Sequence, residues 1–108
     1  MVLIITESWW PAGKSAEVGK IYLEVRKKYP VDKSIEKRES AAIWAVKEGM
    51  HSIGIYSIKP GKVKEAMDIA SNRALMIASS IEGLKYNIII AYDLVEAMPL
   101  IGLKAPED

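Results

Sequence analysis

The chain has 108 residues, half of them apolar, and its 15 basic and 14 acidic side chains leave a formal charge of +1. This composition predicts one globular domain and argues against nucleic acid as a partner, while short apolar runs and the lack of a signal-peptide pattern predict a cytoplasmic protein that binds no membrane. The absence of cysteine excludes disulfides, thiol catalysis and cysteine-based metal sites, and the one histidine, His51, leads us to expect neither a metal nor a cofactor.

Residues 2–8 are predicted to form the first strand, because β-branched residues there are flanked by polar ones. Pro11 and Gly13 interrupt it, and Ser15 is the expected N-cap of the first helix. The apolar stripe of that helix consists of Val18, Ile21, Tyr22, Val25 and Tyr29. Pro30 ends the helix, because the residue before a proline is disfavoured in the α conformation.

The segment SWWPAGKS, residues 8–15, is similar to the phosphate-binding pattern G-x-x-x-x-G-K-[ST]. Ser8 stands where the first glycine belongs, and two tryptophans and a proline occupy a loop whose backbone should wrap closely around phosphates. The chain also has too few parallel-strand units for a P-loop domain. We therefore interpret the segment as a strand end, a turn and a helix start, with Trp9 and Trp10 on opposite sides of the strand.

Residues 31–50 allow two interpretations. Ile35, Glu39, Ala42, Ile43 and Val46 could line one face of a helix. Alternatively, 39–47 is a strand that turns at residues 48–50 into a second strand, 51–58. We favour the hairpin, because 51–58 is strand-like and a short glycine-containing connection suits an antiparallel partner.

The clearest helical period in the chain runs over residues 63–81, and Gly83 fits its C-terminal cap. Residues 86–92 are predicted as the last strand, and Asp93 as the cap of a short helix that Pro99 stops. Residues 1–103 are thus expected to form one domain, and 104–108 a flexible tail. Lysines outnumber arginines 12 to 3, a composition compatible with a thermophilic origin.

The resulting order is β-α-β-β-α-β, which predicts an α+β, ferredoxin-like fold with a four-stranded antiparallel sheet and two helices on one face. The predicted strands are apolar on both sides, as in Leu3 and Ile5 against Val2 and Ile4. Two helices can cover only one of these faces, and soluble monomers rarely expose an apolar patch as large as the other. We therefore predict a homodimer that packs sheet against sheet.

The β-α-β-β-α-β order, together with VLII, NIIIAY, the hairpin WAVKEGMHSIGIYSI and the helix start KPGKVKEAMDIA, resembles the dimeric α+β barrel superfamily over residues 1–101. Within it the chain looks most like small archaeal-type members. The resemblance implies a face-to-face homodimer, and some relatives are cofactor-independent monooxygenases or haem-degrading enzymes, whereas others bind small ligands between sheet and helices. Roles for Trp44, His51, Asn72 and Arg73 are not carried over, because no motif aligns these positions.

The candidate ligand-binding residues are Tyr22, Trp44, His51, Tyr56 and Arg73. His51 and Trp44 are also the catalytic candidates, since an imidazole can act as a general base near neutral pH. For each residue the simpler interpretation is an ordinary packing or surface role. The charged segments 36–39 and 62–65 are predicted to be solvated faces.

Three functions are compatible with these observations. We favour a homodimeric protein that binds a small apolar ligand or another protein. The first alternative is a cofactor-independent, monooxygenase-like enzyme acting on a small apolar or aromatic substrate, and the second is a purely structural assembly subunit. Apolar side chains beyond the stripe of the long helix, at Met67, Leu75 and Met76, favour an assembly larger than a dimer.

Overall fold

A computed structural model describes residues 1–107. In this range the strands are β1 (Val2–Trp10), β2 (Glu36–Val46), β3 (Gly49–Ile58) and β4 (Lys85–Tyr92). The helices are α1 (Ser15–Lys28), α2 (Val63–Ser80) and α3 (Leu94–Leu100), and a short 3-10 turn, Ala12–Lys14, leads into α1.

The strands form one antiparallel sheet in the order β2-β3-β1-β4. With α1 and α2 as crossovers, this order confirms the predicted ferredoxin-like α+β fold. Residues 31–50 contain the predicted hairpin strand rather than a helix, since Val46 pairs with Gly49 across the turn. Gly49 has φ +144°, and a Cβ there would lie 2.3 Å from the carbonyl oxygen of Trp10, so only glycine fits this turn.

Helices α1 and α2 pack on one face of the sheet, which we call the helix face. One cluster of buried side chains there consists of Ile4, Ile58, Ala66 and Ala70, and a second consists of Trp10, Val18 and Ile81. Alanines at the contact points of α2 allow its axis to approach the sheet closely. These two clusters form the hydrophobic core and leave space between them over the middle of the sheet.

The opposite face of the sheet, which we call the open face, carries no residue of either buried cluster. Its apolar side chains, placed there by the strand register, are Leu3, Ile5, Trp9, Ala42, Trp44, Ile53, Ile55, Ile89 and Ala91. Ile89 and Trp44 are 37% and 41% exposed. The sheet is therefore apolar on both sides, and α1 and α2 cover one of them only in part, since Ile43 and Ile90 on the helix face are 64% and 52% exposed.

Strand β2 contains a bulge between Arg38 and Ser40. Arg38 pairs with Tyr56 and Ser40 pairs with Ile55, so Glu39 is an extra residue on this side of the pair. Because strand side chains alternate between faces, the extra residue changes which side of β2 points toward the helices.

The segment 8–15 forms the end of β1, the 3-10 turn and the start of α1. Lys14, not Ser15, is the N-cap residue of α1. The Ser15 hydroxyl instead donates to the carbonyl oxygen of Ala12 (2.8 Å) and accepts from the indole N–H of Trp10 (3.1 Å). The hydroxyl thus satisfies the indole nitrogen of a tryptophan that is buried in the core.

The C-terminal part of the chain begins with the predicted cap, since the Asp93 carboxylate accepts from the backbone N–H of Glu96 (2.9 Å). Pro99 does not stop the helix but lies in its last turn, and α3 ends at Leu100. Residues 104–107 have no regular secondary structure, and Asp108 lies outside the described residues. Among residues 1–107, no helix has the length and apolar character of a membrane span.

Candidate functional site

A cavity of about 640 Å³ separates α1 and part of α2 from the helix face of the sheet. Every strand of the sheet contributes to its wall, as do α1 and α2. A volume of this order is typical of sites that enclose a small organic molecule. We call this space the helix–sheet cavity.

Most of the wall of the helix–sheet cavity is apolar. These side chains include Val18 and Val25 of α1, Ala70, Ala74 and Ile77 of α2, and Ile43, Met50 and Ile88 of the sheet. Polar side chains interrupt this wall on the sheet, where the hydroxyls of Ser8 and Ser52 are 2.6 Å apart, and at Arg26, Arg38 and Arg73. An apolar wall with a few polar groups can hold a small molecule and fix its orientation.

Three of the predicted ligand-binding residues, Tyr22, Tyr56 and Arg73, line the helix–sheet cavity. The hydroxyl of Tyr22 accepts a hydrogen bond from Nη1 of Arg38 (3.1 Å). Arg38 and Tyr56 are paired across β2 and β3, so both side chains lie on the helix face. The two phenols therefore lie near guanidinium groups in a mostly apolar surrounding.

Arg73 connects three parts of the chain. Its Nη1 donates to Oε1 of Glu36 (2.7 Å), its Nε to the carbonyl oxygen of Tyr29 (3.0 Å), and its Nη2 to that of Pro30 (3.2 Å). The Glu36 side chain is only 2% exposed. Arg73 is thus a structural residue of α2 that also contributes to the cavity wall, and the prediction that segment 36–39 is a solvated face is wrong for Glu36.

Tyr56 lies on the cavity floor with the guanidinium of Arg73 5.6 Å from its ring centre. Burial raises the pKa of its phenol above the ordinary value, and the positive charge of Arg73 opposes this change only in part. The phenol of Tyr56 accordingly keeps its proton to a higher pH than an exposed tyrosine does.

This pKa shift predicts a loss of stability at alkaline pH. The folded-state pKa of Tyr56 is above the unfolded value of about 10, so the folded chain retains a proton that the unfolded chain releases. The contribution of this phenol to the free energy of unfolding is therefore fully present below about pH 10. It falls as the pH rises from about 10 through the folded-state pKa. We expect urea unfolding between pH 9 and pH 11 to show a steeper fall in the free energy of unfolding for the wild type than for Tyr56→Phe.

The matched control for the alkaline experiment is Tyr92→Phe, since the Tyr92 side chain is 57% exposed and lies outside the cavity wall. The free energy of unfolding of Tyr92→Phe should change with pH as that of the wild type does. Equal slopes of the free energy of unfolding against pH for the wild type and Tyr56→Phe would contradict the prediction.

Trp44 and His51 lie on the open face, on the other side of the sheet from the helix–sheet cavity. The imidazole of His51 is stacked on Trp9 (centroids 4.5 Å apart, planes 11° apart) and contacts Trp44 at 4.3 Å. Its Nε2 lies 3.2 Å from Oε2 of Glu7. We call these four side chains the aromatic cluster.

The predicted site residues are therefore divided between two surfaces. Tyr22, Tyr56 and Arg73 meet in the helix–sheet cavity, whereas Trp44 and His51 belong to the aromatic cluster. In the part of the chain that the structure describes, no three histidine or acidic side chains come together as a metal site requires.

Sequence reasoning did not identify Arg26 and Arg38, although both line the helix–sheet cavity. Arg26 follows Tyr22 by four residues on α1, which places both on one side of the helix. Arg38 was assigned to a solvated face because it lies among charged residues, and the bulge that follows it has no signal in the sequence.

Neither a protein-family model nor a curated protein matches this sequence. Solved structures with a similar fold include an antibiotic biosynthesis monooxygenase, with a TM-score of 0.55 and 12% identity over 87% of this chain and 99% of that one. A candidate antibiotic biosynthesis monooxygenase from Caulobacter crescentus CB15 has a TM-score of 0.52 and 13% identity, covering 85% of this chain and 91% of that one.

The de novo designed protein Foldit4 is similar to the same degree, with a TM-score of 0.53 and 10% identity over 85% of this chain and 96% of that one. A designed protein and natural proteins thus share this backbone arrangement. At such identities the likeness is one of fold, and the function has to be argued from the side chains of the site.

Proposed function

We propose that this protein binds a small, largely apolar molecule in the helix–sheet cavity, as a homodimer whose subunits pack through their open faces. The observation that carries the proposal is the cavity itself, about 640 Å³ in volume and lined mainly by apolar side chains. A half-open space of this size between the two layers of the domain leaves apolar surface unpaired, and a bound apolar ligand would remove that surface from water.

A second copy of the chain is the partner that best suits the open face. The face is mostly apolar, and the carboxylate of Glu7 contacts the imidazole of His51 within it, so the face offers little to a strongly charged partner. A twofold axis would place the two apolar faces against each other. Further exposed apolar side chains lie in and after α3, where Leu94, Val95, Leu100 and Ile101 are 58–71% exposed.

The enzyme alternative is favoured by the names of the natural structures with this fold, which are monooxygenases of antibiotic biosynthesis. From the sequence, this enzyme alternative assigns the chemistry to His51 and Trp44. Those residues lie on the open face, away from the helix–sheet cavity, so a catalyst acting in this cavity would have to use Tyr22, Tyr56 and the arginines. This separation is why we favour binding over catalysis.

Gly19 allows the cavity to be filled without disturbing the core. It lies on the side of α1 that lines the cavity, and a Cβ added there would meet no atom within 4 Å. Gly19→Leu should place its side chain in the space that a ligand would occupy. The substitution also removes a helix-interior glycine, which favours the helix by about 0.5–1 kcal/mol.

The test uses N-phenyl-1-naphthylamine, an uncharged probe whose fluorescence rises in apolar sites. We expect the wild type to bind it and Gly19→Leu to bind it at least about tenfold more weakly, with no loss of thermal stability. Ala16→Leu is the control, because Ala16 is an exposed residue of α1 outside the cavity wall and the added side chain is the same.

Equal binding by the wild type, Gly19→Leu and Ala16→Leu would place the probe outside the helix–sheet cavity and would contradict the proposal. No binding by any of the three proteins would contradict it as well.

A further inference from the structure

The arginines of this chain are concentrated at one place. The sequence contains three arginines and twelve lysines, and all three arginines, Arg26, Arg38 and Arg73, line the helix–sheet cavity, whereas no lysine does. Arginine differs from lysine in its planar, forked set of donors, which matches the two oxygens of a carboxylate.

The charge of Arg73 is neutralised by Glu36, but the other two guanidinium groups have no such partner. Among residues 1–107, no carboxylate lies within ion-pair distance of Arg26 or Arg38. The one acidic residue in the cavity wall is Glu7, and its carboxylate contacts His51 on the open face. The cavity therefore carries two uncompensated positive charges.

Arg26 is the more unusual of the two. Its Nη1 is shielded from solvent and has no hydrogen-bond acceptor among the described residues. A shielded donor without an acceptor is costly and rare in folded proteins. A ligand oxygen could satisfy it after a change of the Arg26 rotamer that brings this nitrogen to the cavity.

Arg38 reaches the same region from the sheet. Its Nη1 donates to the hydroxyl of Tyr22, which lies one helical turn before Arg26 on α1. This neutral partner satisfies one donor of Arg38 and leaves its charge unpaired. Tyr22 thus contacts Arg38 and lies on the same side of α1 as Arg26, in a cavity whose remaining wall is mostly apolar.

We propose that the ligand of the helix–sheet cavity is an apolar or aromatic carboxylic acid, bound as the anion, with Arg26 and Arg38 as its carboxylate-binding residues. This inference rests on the proposed function and specifies its ligand class. The apolar wall encloses the body of the acid, and the two guanidinium groups donate to its oxygens.

The test compares two acids with their isosteric, uncharged amides: naphthalene-2-carboxylate with naphthalene-2-carboxamide, and decanoate with decanamide. Titration calorimetry on the full chain should show at least one acid binding about tenfold or more tightly than its amide. In Arg26→Gln the affinity for that acid should fall to that of the amide, while the affinity for the amide stays as in the wild type. Arg38→Gln should show the same pattern with a smaller loss, because Arg38 is the more exposed of the two.

Lys27→Gln is the matched control, since it removes the same charge from the neighbouring, exposed position of α1. It should leave both affinities unchanged. Thermal unfolding provides a second readout: Arg26→Gln should be at least as stable as the wild type, because the Nη1 donor has no partner to lose.

Equal affinities for acid and amide in the wild type, or a preference for the acid that survives Arg26→Gln, would overturn the inference and leave the apolar cavity in place. Binding of the uncharged naphthylamine probe without binding of either acid would also overturn it. Failure of all five probes would overturn the proposed function together with the inference.

Discussion

Arg73→Met is expected to lower the free energy of unfolding by about 3–5 kcal/mol, because it leaves the carboxylate of Glu36 buried without its partner. The Glu36 side chain is only 2% exposed, and it is 2.7 Å from Nη1 of Arg73. The substitution also frees the carbonyl oxygens of Tyr29 and Pro30, which accept from the same guanidinium. Denaturant unfolding at pH 7 measures the loss.

The double variant Glu36→Leu/Arg73→Met separates the cost of an unpaired charge from the loss of packing. Replacing a buried ion pair by apolar side chains of similar size is often close to neutral, so most of the stability should return. Lys64→Met is the control on α2, because its ion pair with Asp68 is exposed and its loss should change the stability little. If Arg73→Met proved as stable as Lys64→Met, the Arg73–Glu36 pair would not be a structural connection.

Ile89→Lys is expected to separate the proposed dimer into monomers. Ile89 lies on the open face, and a lysine there would bring an unpaired charge into an apolar contact between subunits. We expect the dissociation constant to rise by about 100-fold or more. Light scattering coupled to gel filtration should give the wild type twice the 12.0 kDa mass of one chain and the variant a single chain mass.

The adjacent residue supplies a matched control. Ile90 is in the same strand and is 52% exposed, but its side chain lies on the helix face. Ile90→Lys should therefore leave the dimer intact. A wild type of one chain mass, or equal effects of the two lysines, would contradict packing through the open face.

Much of the fold could be predicted because the local signals agreed with each other. The continuous apolar runs of β1 and β4, the long period of α2 and the turn at Gly49 each indicate the same topology, and the structure has it. Strand ends were less predictable: β2 begins at Glu36, which looks like a surface residue until its partner, 37 positions away, is known.

The candidate site was predictable only in part, because it too depends on contacts between residues that are far apart in the chain. Tyr22 and Tyr56 are candidates from the sequence because tyrosine hydroxyls can point into a cavity, and both line the helix–sheet cavity. Whether His51 and Trp44 share a surface with them depends on strand register and on the bulge, and both are set by long-range pairing rather than by neighbours in the chain. Local sequence contains no record of such pairing.

The extra residue in β2 has an evolutionary consequence. Deleting Glu39, an in-frame loss of one codon, would restore simple alternation along the strand, and either the part before the bulge or the part after it would then face the other way. If the part after the bulge turned over, Trp44 would move to the side proposed to hold the ligand, and Ile43 would move to the side proposed for the subunit contact. A single mutational event at this position would thus change both the proposed ligand cavity and the proposed subunit contact, whereas a substitution at Ile43 or Trp44 would change only one of them.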